Sequence, residues 1–413
     1  MGAGDLLDDL DLTDLDRFTD GFPHEVFATL RAEAPIWWHP PTEHTPDGEG
    51  FWVLSRYADI AAVAADATRF SSERGGPRSG GGTLIEDLPA GFASGVLLNM
   101  MDDPRHQRIR KLCTPSVTPR ALAAVQASLR ERAVAIVDAA VERGTCDFLV
   151  DVAAELPLQA IAQLLGVPQH HRHRLFEWAD ATLDYDDRDL GETGERSAAA
   201  AAAMFTYGAE LVAEKQGCPD AGLISTVANA GFLTDLELQM FFNLLIAAGS
   251  ETTRNSIALG VLALIERPDQ WARLRDDRSL LPAAVEEVLR WASSTTYNRR
   301  TATADCVLGA ADAGTPVAAG DKVTLWWPSA NRDEAVFADP FAFDVARQPN
   351  KHLALGHGTH FCLGAALARI EIRLVLDVLL DRIAALELTG PLEWARTNKH
   401  TGLRHMPVRL LVG

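Results

Sequence analysis

The chain has 413 residues, 47% of them hydrophobic, and a formal net charge of −19 at pH 7. That length and apolar content allow a large buried core, while the acidic excess argues against nucleic acid or an anionic membrane as a partner. Five scattered cysteines, an odd number, do not make a disulfide framework and fit a reducing cytoplasm.

Residues 1–21 are acidic and contain no long apolar run, so they read as an extension, with no secretory signal or membrane anchor expected. The glycine-rich piece Gly75 to Gly82 lacks a Lys-Ser/Thr ending and reads as a flexible loop, not a phosphate cradle. Helical patterns dominate from Asp103 to about Trp291, including six alanines at 198–203 with high helix propensity. Short strand-like runs cluster near Phe51 to Leu54, Val323 to Trp327 and the C-terminus. The fold class is therefore mainly α with a small β-rich region, α+β.

In DDPRHQRIRKL, His106 and Arg110 stand one helical turn apart. The run Phe241 to Glu266 is apolar almost all round and belongs in the middle of the protein. At its centre stand Ala248, Gly249, Glu251, Thr252 and Thr253. A hydroxyl bonding back to the i−4 carbonyl can bend or open a helix, and Thr252 and Ala248 have that spacing. Taken alone, Thr252 would only satisfy a carbonyl and Glu251 would face solvent. Glu287 and Arg290 share a helix face, which in isolation is a surface pair worth about 0.5 kcal/mol. Arg300, in NRRTATAD, falls in an extended strand.

The most informative segment is Leu355 to Gly364, LGHGTHFCLG. Glycines 356, 358 and 364 permit positive φ and close backbone approach, and His360 puts a donor two residues from the Cys362 sulfur. Helical periodicity resumes after Gly364, so the thiol lies at a helix N-terminus, where the dipole favours thiolate. A thiolate is a strong electron-donating ligand for iron. A dinucleotide fingerprint would need glycine where Phe361 stands, and no second cysteine is near enough for a zinc or redox pair.

This segment resembles the haem-binding signature of the cytochromes P-450, with Leu355 where the family usually has phenylalanine. The resemblance runs from about Phe22 to the C-terminus and is nearest to soluble actinobacterial members close to steroid and lipid hydroxylases. It implies one P-450 domain over residues 22–413, with haem b between a long central helix and the cysteine loop. Cys362 would be the axial iron ligand, with Ala248, Gly249, Leu355, Gly356 and Gly364 against the cofactor. His106, Arg110, Arg300 and His360 would hold the propionates. Glu251 and Thr252 would be the catalytic pair that supplies and positions protons. Glu287, Arg290 and Arg347 would form a buried structural lock.

Substrate contacts implied by the resemblance fall in residues 80–99, 183–193, 294–298 and 400–403 and along the central helix. The named candidates are Leu97, Leu98, Leu244, Leu245, Ala248, Thr296, Tyr297 and Thr401. No flavin or nicotinamide site is evident, so a ferredoxin and ferredoxin reductase are expected as electron donors, docking near Arg105, Arg108, Lys111 and Arg369. The implied reaction uses dioxygen to hydroxylate a hydrophobic small molecule: a steroid, terpenoid, lipid or natural-product precursor. The alternatives are oxidative C–C or C–O coupling of an aromatic precursor, or a non-catalytic haem sensor. The intact Glu251-Thr252 pair opposes the sensor.

Overall fold

The computed structural model describes residues 7, 9–183, 189–190, 192–218, 220, 222–309 and 314–413. In chain order the early helices are α1 (His24–Glu33), α2 (Tyr57–Ala65), α3 (Arg105–Cys113), α4 (Pro119–Arg143), α5 (Glu155–Leu165), α6 (Arg172–Leu183) and α7 (Glu195–Gly217). They are followed by α8 (Leu223–Ala228), α9 (Asp235–Glu266), α10 (Pro268–Asp276), α11 (Leu281–Ala292), α12 (Trp327–Ala330) and α13 (Ala365–Arg382). The alanine run sits in α7, as its propensity predicts.

The axis of the molecule is α9, whose 32 residues span roughly 48 Å. Its start is fixed by a capping box in which the Thr234 hydroxyl accepts from the Glu237 N–H and the Glu237 carboxylate accepts from the Thr234 N–H. Apolar side chains on nearly all faces let it pack against α5, α6, α7 and α11 at once. The main core joins α4, α9, α11 and α13. No helix among the described residues is long and apolar enough to cross a membrane.

The β-rich side contains a five-stranded sheet. Its strands are β1 (Ile36–His39), β2 (Phe51–Leu54), β3 (Phe70–Ser71), β7 (Tyr297–Ala302) and β10 (Lys322–Trp326), in the spatial order β1-β2-β10-β7-β3. Between β3 and β7 in sequence lie β4 (Gly80–Gly81), β5 (Leu88–Pro89) and β6 (Thr145–Asp147), and between β7 and β10 lie β8 (Cys306–Leu308) and β9 (Thr315–Val317). The C-terminal strands are β11 (Ala385–Leu388), β12 (Glu393–Trp394), β13 (Leu403–His405) and β14 (Pro407–Leu411). In β7 the period of two puts Tyr297 and Arg299 on one face and Asn298 and Arg300 on the other.

Within residues 9–21, Leu10, Leu12 and Phe18 are buried in one cluster with Phe22, Phe27, Tyr297 and Trp326. The aspartates between them serve the turns: Asp11 accepts from the Thr13 N–H at 2.8 Å, and Leu12 N–H donates to His39 Nε2 at 2.9 Å. The Gly75–Gly82 piece is a pinned hairpin, not a flexible loop. Gly80–Gly81 pairs with Leu88–Pro89, and a Cβ on Gly81 would lie 1.9 Å from the Glu73 carbonyl oxygen. Asp87 anchors it, meeting Arg299 at 2.6 Å, Arg78 at 2.6 Å and Lys322 at 3.4 Å.

Arg299 and Lys322 are almost fully buried; Arg299 is ion-paired with Asp87, while Lys322 lies between Asp87 and Glu49, the latter at 3.2 Å. Asp87→Ala is expected to cost about 3 to 5 kcal/mol, the usual penalty for orphaning a buried cation. Chemical denaturation of the haem-loaded protein checks this, and an unchanged midpoint would show that the cluster does not hold the hairpin.

Candidate haem site and active site

The cysteine loop closes on itself when Cys362 N–H donates to the Leu355 carbonyl at 2.8 Å. Gly356 and Gly358 take φ of +74° and +72°, and a Cβ on Gly358 would sit 2.3 Å from the Ala64 carbonyl at the end of α2. Gly364 does not use this freedom, since its φ is −82°. Its N–H instead hydrogen-bonds the Cys362 sulfur. Leu355 packs its side chain on the main core. The helix terminus does not by itself give a thiolate. Burial pushes the Cys362 thiol up, and the Gly364 N–H, Arg110 and Arg369 pull it down without prevailing. Stable deprotonation calls for a metal cation on the sulfur.

Behind the loop, Glu287, Arg290 and Arg347 meet as one buried cluster. Arg290 Nε and Nη2 each donate to the Glu287 carboxylate at 2.7 Å, and Arg347 Nε donates at 3.1 Å and 3.2 Å. Arg290 also donates to the carbonyls of Asn331, Pro340 and Ala342. Asn350 Nδ2 and the Asp344 N–H complete the shell around Glu287.

A neighbouring cluster escaped the sequence reading. Glu286 accepts from Arg369 at 2.6 Å and 2.9 Å and lies 3.1 Å from His352 Nε2. Burial alone would raise its carboxyl, but these hydrogen bonds bring it down to about 2. The adjacent acid in the α11 motif was the available signal. Arg369 is therefore engaged, as are Arg105, paired with Glu237, and Arg108, stacked 3.8 Å from the Phe232 ring centre. The expected docking set thus contains three residues already held by this chain, leaving Lys111, which makes only a 3.4 Å contact to Gln107.

The four expected propionate donors come together. His106 on α3 and His360 on the loop have ring centres 4.2 Å apart, while Arg300 is buried on β7. Burial, then Arg300, His106 and Arg110, lowers His360 to about 2. Burial lowers Arg300 to about 10. Arg300 donates to the Arg299 carbonyl at 2.9 Å. With both imidazoles kept neutral by burial, the two guanidiniums and the imidazole N–H groups make a donor set that an anion would satisfy. A dianionic porphyrin edge fits that donor set.

On α9, Thr252 Oγ1 donates to the Ala248 carbonyl at 2.8 Å, and Ser250 and Ser256 bond back in the same way at 2.7 Å and 2.8 Å. The helix nevertheless runs on unbroken. Leu244, Ala248 and Thr252 form one stripe, on which Ala248 is exposed and Leu244 and Thr252 are half-buried. Gly249 turns instead toward α5, where a Cβ would lie 2.9 Å from Ile161. Its smallness serves helix packing, not the cofactor side. Glu251 points inward, with Oε1 at 3.9 Å from Arg254 and Oε2 at 3.9 Å from His400 Nδ1. Arg254 is itself bound to Asp180 at 2.7 Å.

One buried acid had no sequence signal beyond its place on an apolar helix. Glu371 of α13 is pushed up to about 8 by burial, against a hydrogen bond with Thr253, the residue after Thr252. At neutral pH it holds a proton inside the protein.

The substrate candidates divide. Leu97, Leu244 and Leu245 are partly buried, and the Thr401 hydroxyl is buried without a hydrogen bond. Leu98 is buried in the core beside Ile109 and Phe241. Tyr297 belongs to the N-terminal aromatic cluster, on the β7 face away from Arg300, and its hydroxyl accepts from Ile85 N–H at 3.3 Å. The Thr296 hydroxyl is fully buried and donates to the Asn398 carbonyl. All three are thus buried side chains, Leu98 through its packing, Thr296 through its bond to the Asn398 carbonyl and Tyr297 through strand parity. Positions 184–188 and 191 of the expected 183–193 region lie outside the described residues.

A glycine-shaped thiol loop, an anion-ready cationic rim and a long buried helix with an acid–alcohol pair together define a haem-thiolate oxygenase. The family model for cytochrome P-450 matches residues 210–391. Over 98% of this chain and 99% of the relative, the sequence is 48% identical to cytochrome P-450 126 of Mycobacterium tuberculosis. It is 40% identical to the methyl-branched lipid omega-hydroxylase of the same organism, over 90% and 87% of the two chains. A Mycobacterium marinum cytochrome P-450 solved in complex with pseudoionone superposes with a TM-score of 0.88 at 34% identity, covering 97% and 98% of the chains. The chain belongs to the cytochrome P-450 family. It is a monooxygenase whose cofactor is haem b.

Glu371 makes a prediction about pH. Its folded proton affinity lies above the ordinary carboxylate value of 4.5, so proton binding stabilises the fold fully below pH 4.5, and this is lost as pH rises through about 8. Glu371→Gln, neutral throughout, should gain thermal stability over the parent progressively across that window. A gap in melting temperature that does not change with pH would contradict the buried-proton reading.

Proposed function

We propose that the chain hydroxylates a hydrophobic small molecule of lipid, steroid or terpenoid type, taking electrons from a ferredoxin and its reductase. The observation that carries this is the acid–alcohol pair of Glu251 and Thr252 beside the accessible stripe of Leu244 and Ala248. When bound, haem supplies the redox chemistry that activates dioxygen.

The protein's own tasks are then distinct. Cys362 would hold the iron of the cofactor, and His106, Arg110, Arg300 and His360 would hold its propionates. Thr252 can exchange its bond to the Ala248 carbonyl for one to an incoming polar group, at little cost because the helix stays intact. Glu251, which lies 3.9 Å from both Arg254 and His400, would move a proton toward the Thr252 hydroxyl. The apolar side chains of Leu97, Leu244 and Leu245 would orient an aliphatic substrate and keep water out. Similarity to a methyl-branched lipid omega-hydroxylase favours a chain or ring system with accessible methyl groups.

Thr252→Ala should retain haem and substrate binding but send about tenfold more reducing equivalents to peroxide relative to product. Quantifying peroxide and product per electron consumed checks this. Unchanged coupling would remove Thr252 from the reaction. Branched lipids and steroids should shift the ferric haem spin state, and omitting ferredoxin from the reconstituted system should abolish turnover.

A further inference from the structure

His400 lies in the turn between β12 and β13 and had no assigned role beyond its place in a substrate-contacting region. The turn is fixed in place. His400 forms an antiparallel bridge with Thr295, the Thr296 N–H donates to the Lys399 carbonyl at 3.0 Å, and the Thr401 N–H donates to the Ser294 carbonyl at 2.9 Å. The same backbone that leads into β7 therefore sets where the imidazole points.

The ring is 11% exposed, and its Nδ1 is buried without a hydrogen bond, 3.9 Å from Glu251 Oε2. The other carboxylate oxygen, Oε1, lies 3.9 Å from Arg254, which Asp180 holds from α6. Each oxygen of Glu251 thus faces a donor on a different element: Arg254 on α9 itself and His400 on the C-terminal turn. Hydrogen bonds at catalytic groups are often long before substrate binds, and a small side-chain rotation closes this gap.

The charged groups around the ring are Glu251, Arg254 and Lys399. Lys399 Nζ is tied to the Tyr297 carbonyl at 2.7 Å. Burial, followed by Lys399 and Arg254, lowers His400 to about 3, so the imidazole is neutral and offers one N–H.

We propose that His400 is a positioning residue for Glu251, donating its Nδ1–H to Oε2 so as to orient the carboxylate and lower its proton affinity. The proposal rests on the reading of Glu251 as the acid of the reaction. A neutral donor favours the ionised carboxylate, so its loss should raise the pH at which Glu251 protonates.

The test uses the full haem-loaded chain with His400→Phe, His400→Gln and Glu251→Gln. The infrared carboxyl band of Glu251, identified by its loss in Glu251→Gln, is titrated in the resting protein. In His400→Phe its midpoint should move about one pH unit higher, and peroxide formed per electron should rise several-fold. His400→Gln, which keeps an N–H donor, should restore both. If His400→Phe does not retain haem, His400→Leu, which is smaller than phenylalanine and likewise lacks a donor, takes its place.

An unshifted band in the apolar variant, with haem retained, overturns the proposal. If Glu251→Gln uncouples turnover while the apolar variant titrates like the parent, only the role of His400 fails. If Glu251→Gln leaves coupling intact, the reading of Glu251 fails independently.

Discussion

The geometry of the cysteine loop depends on the buried carboxylate of Glu287. Two guanidiniums, one side-chain amide and one backbone N–H converge on it. Desolvating three charges is costly, and such a cluster persists only where nearly every donor and acceptor is matched. Here the matching partners are backbone carbonyls of the segment that leads to the loop. Arg290 gathers Asn331, Pro340 and Ala342, and Arg347 gathers Ala338, Asp339 and Ala342. Asn331 then accepts from the Leu353 N–H at 2.7 Å, two residues before the Leu355 carbonyl that receives Cys362. Hydrogen bonds thus lead from α11 through Asn331 to Leu353, at the start of the cysteine loop.

Around that frame the charges separate by sign. The loop side and β7 present the neutral imidazoles of His106 and His360 with the guanidiniums of Arg110 and Arg300, a donor set suited to an anionic cofactor edge. The α9 side carries Glu251, and Glu371 reaches the same helix from α13. Donors suited to porphyrin carboxylates thus lie on the loop side, and the acids lie on the α9 side. This division suits a monooxygenase better than a sensor, which has no use for proton delivery.

Much of this was legible in the sequence because short motifs fix backbone geometry locally. The loop of Gly356, Gly358 and Cys362, the back-bond from Thr252 to Ala248, and the Glu287–Arg290 pair all depend on spacing within one element. What spacing cannot settle is which way a side chain faces once the elements pack. Tyr297 shares β7 with Arg300 and Gly249 follows Ala248, yet strand parity and the proximity of α5 turn them elsewhere. The leucines of the acidic N-terminus stand isolated among aspartates, a pattern that does not show their packing with Tyr297 and Trp326. The dipole argument for Cys362 had the right sign, and burial exceeded it in magnitude. Partners distant in sequence, such as Glu286 with Arg369 or Glu251 with His400, carry no local pattern at all.

The central claim is that Cys362, presented by this hydrogen-bonded frame, ligates haem iron as a thiolate. Recording the absorption of the freshly purified, haem-loaded protein after reduction under carbon monoxide tests it most directly. The account predicts the strongly red-shifted Soret band given by a thiolate opposite carbon monoxide, lost in Cys362→Ser. A band at the position of a neutral-ligand haem in well-folded protein, or a red-shifted band that survives Cys362→Ser, would contradict it.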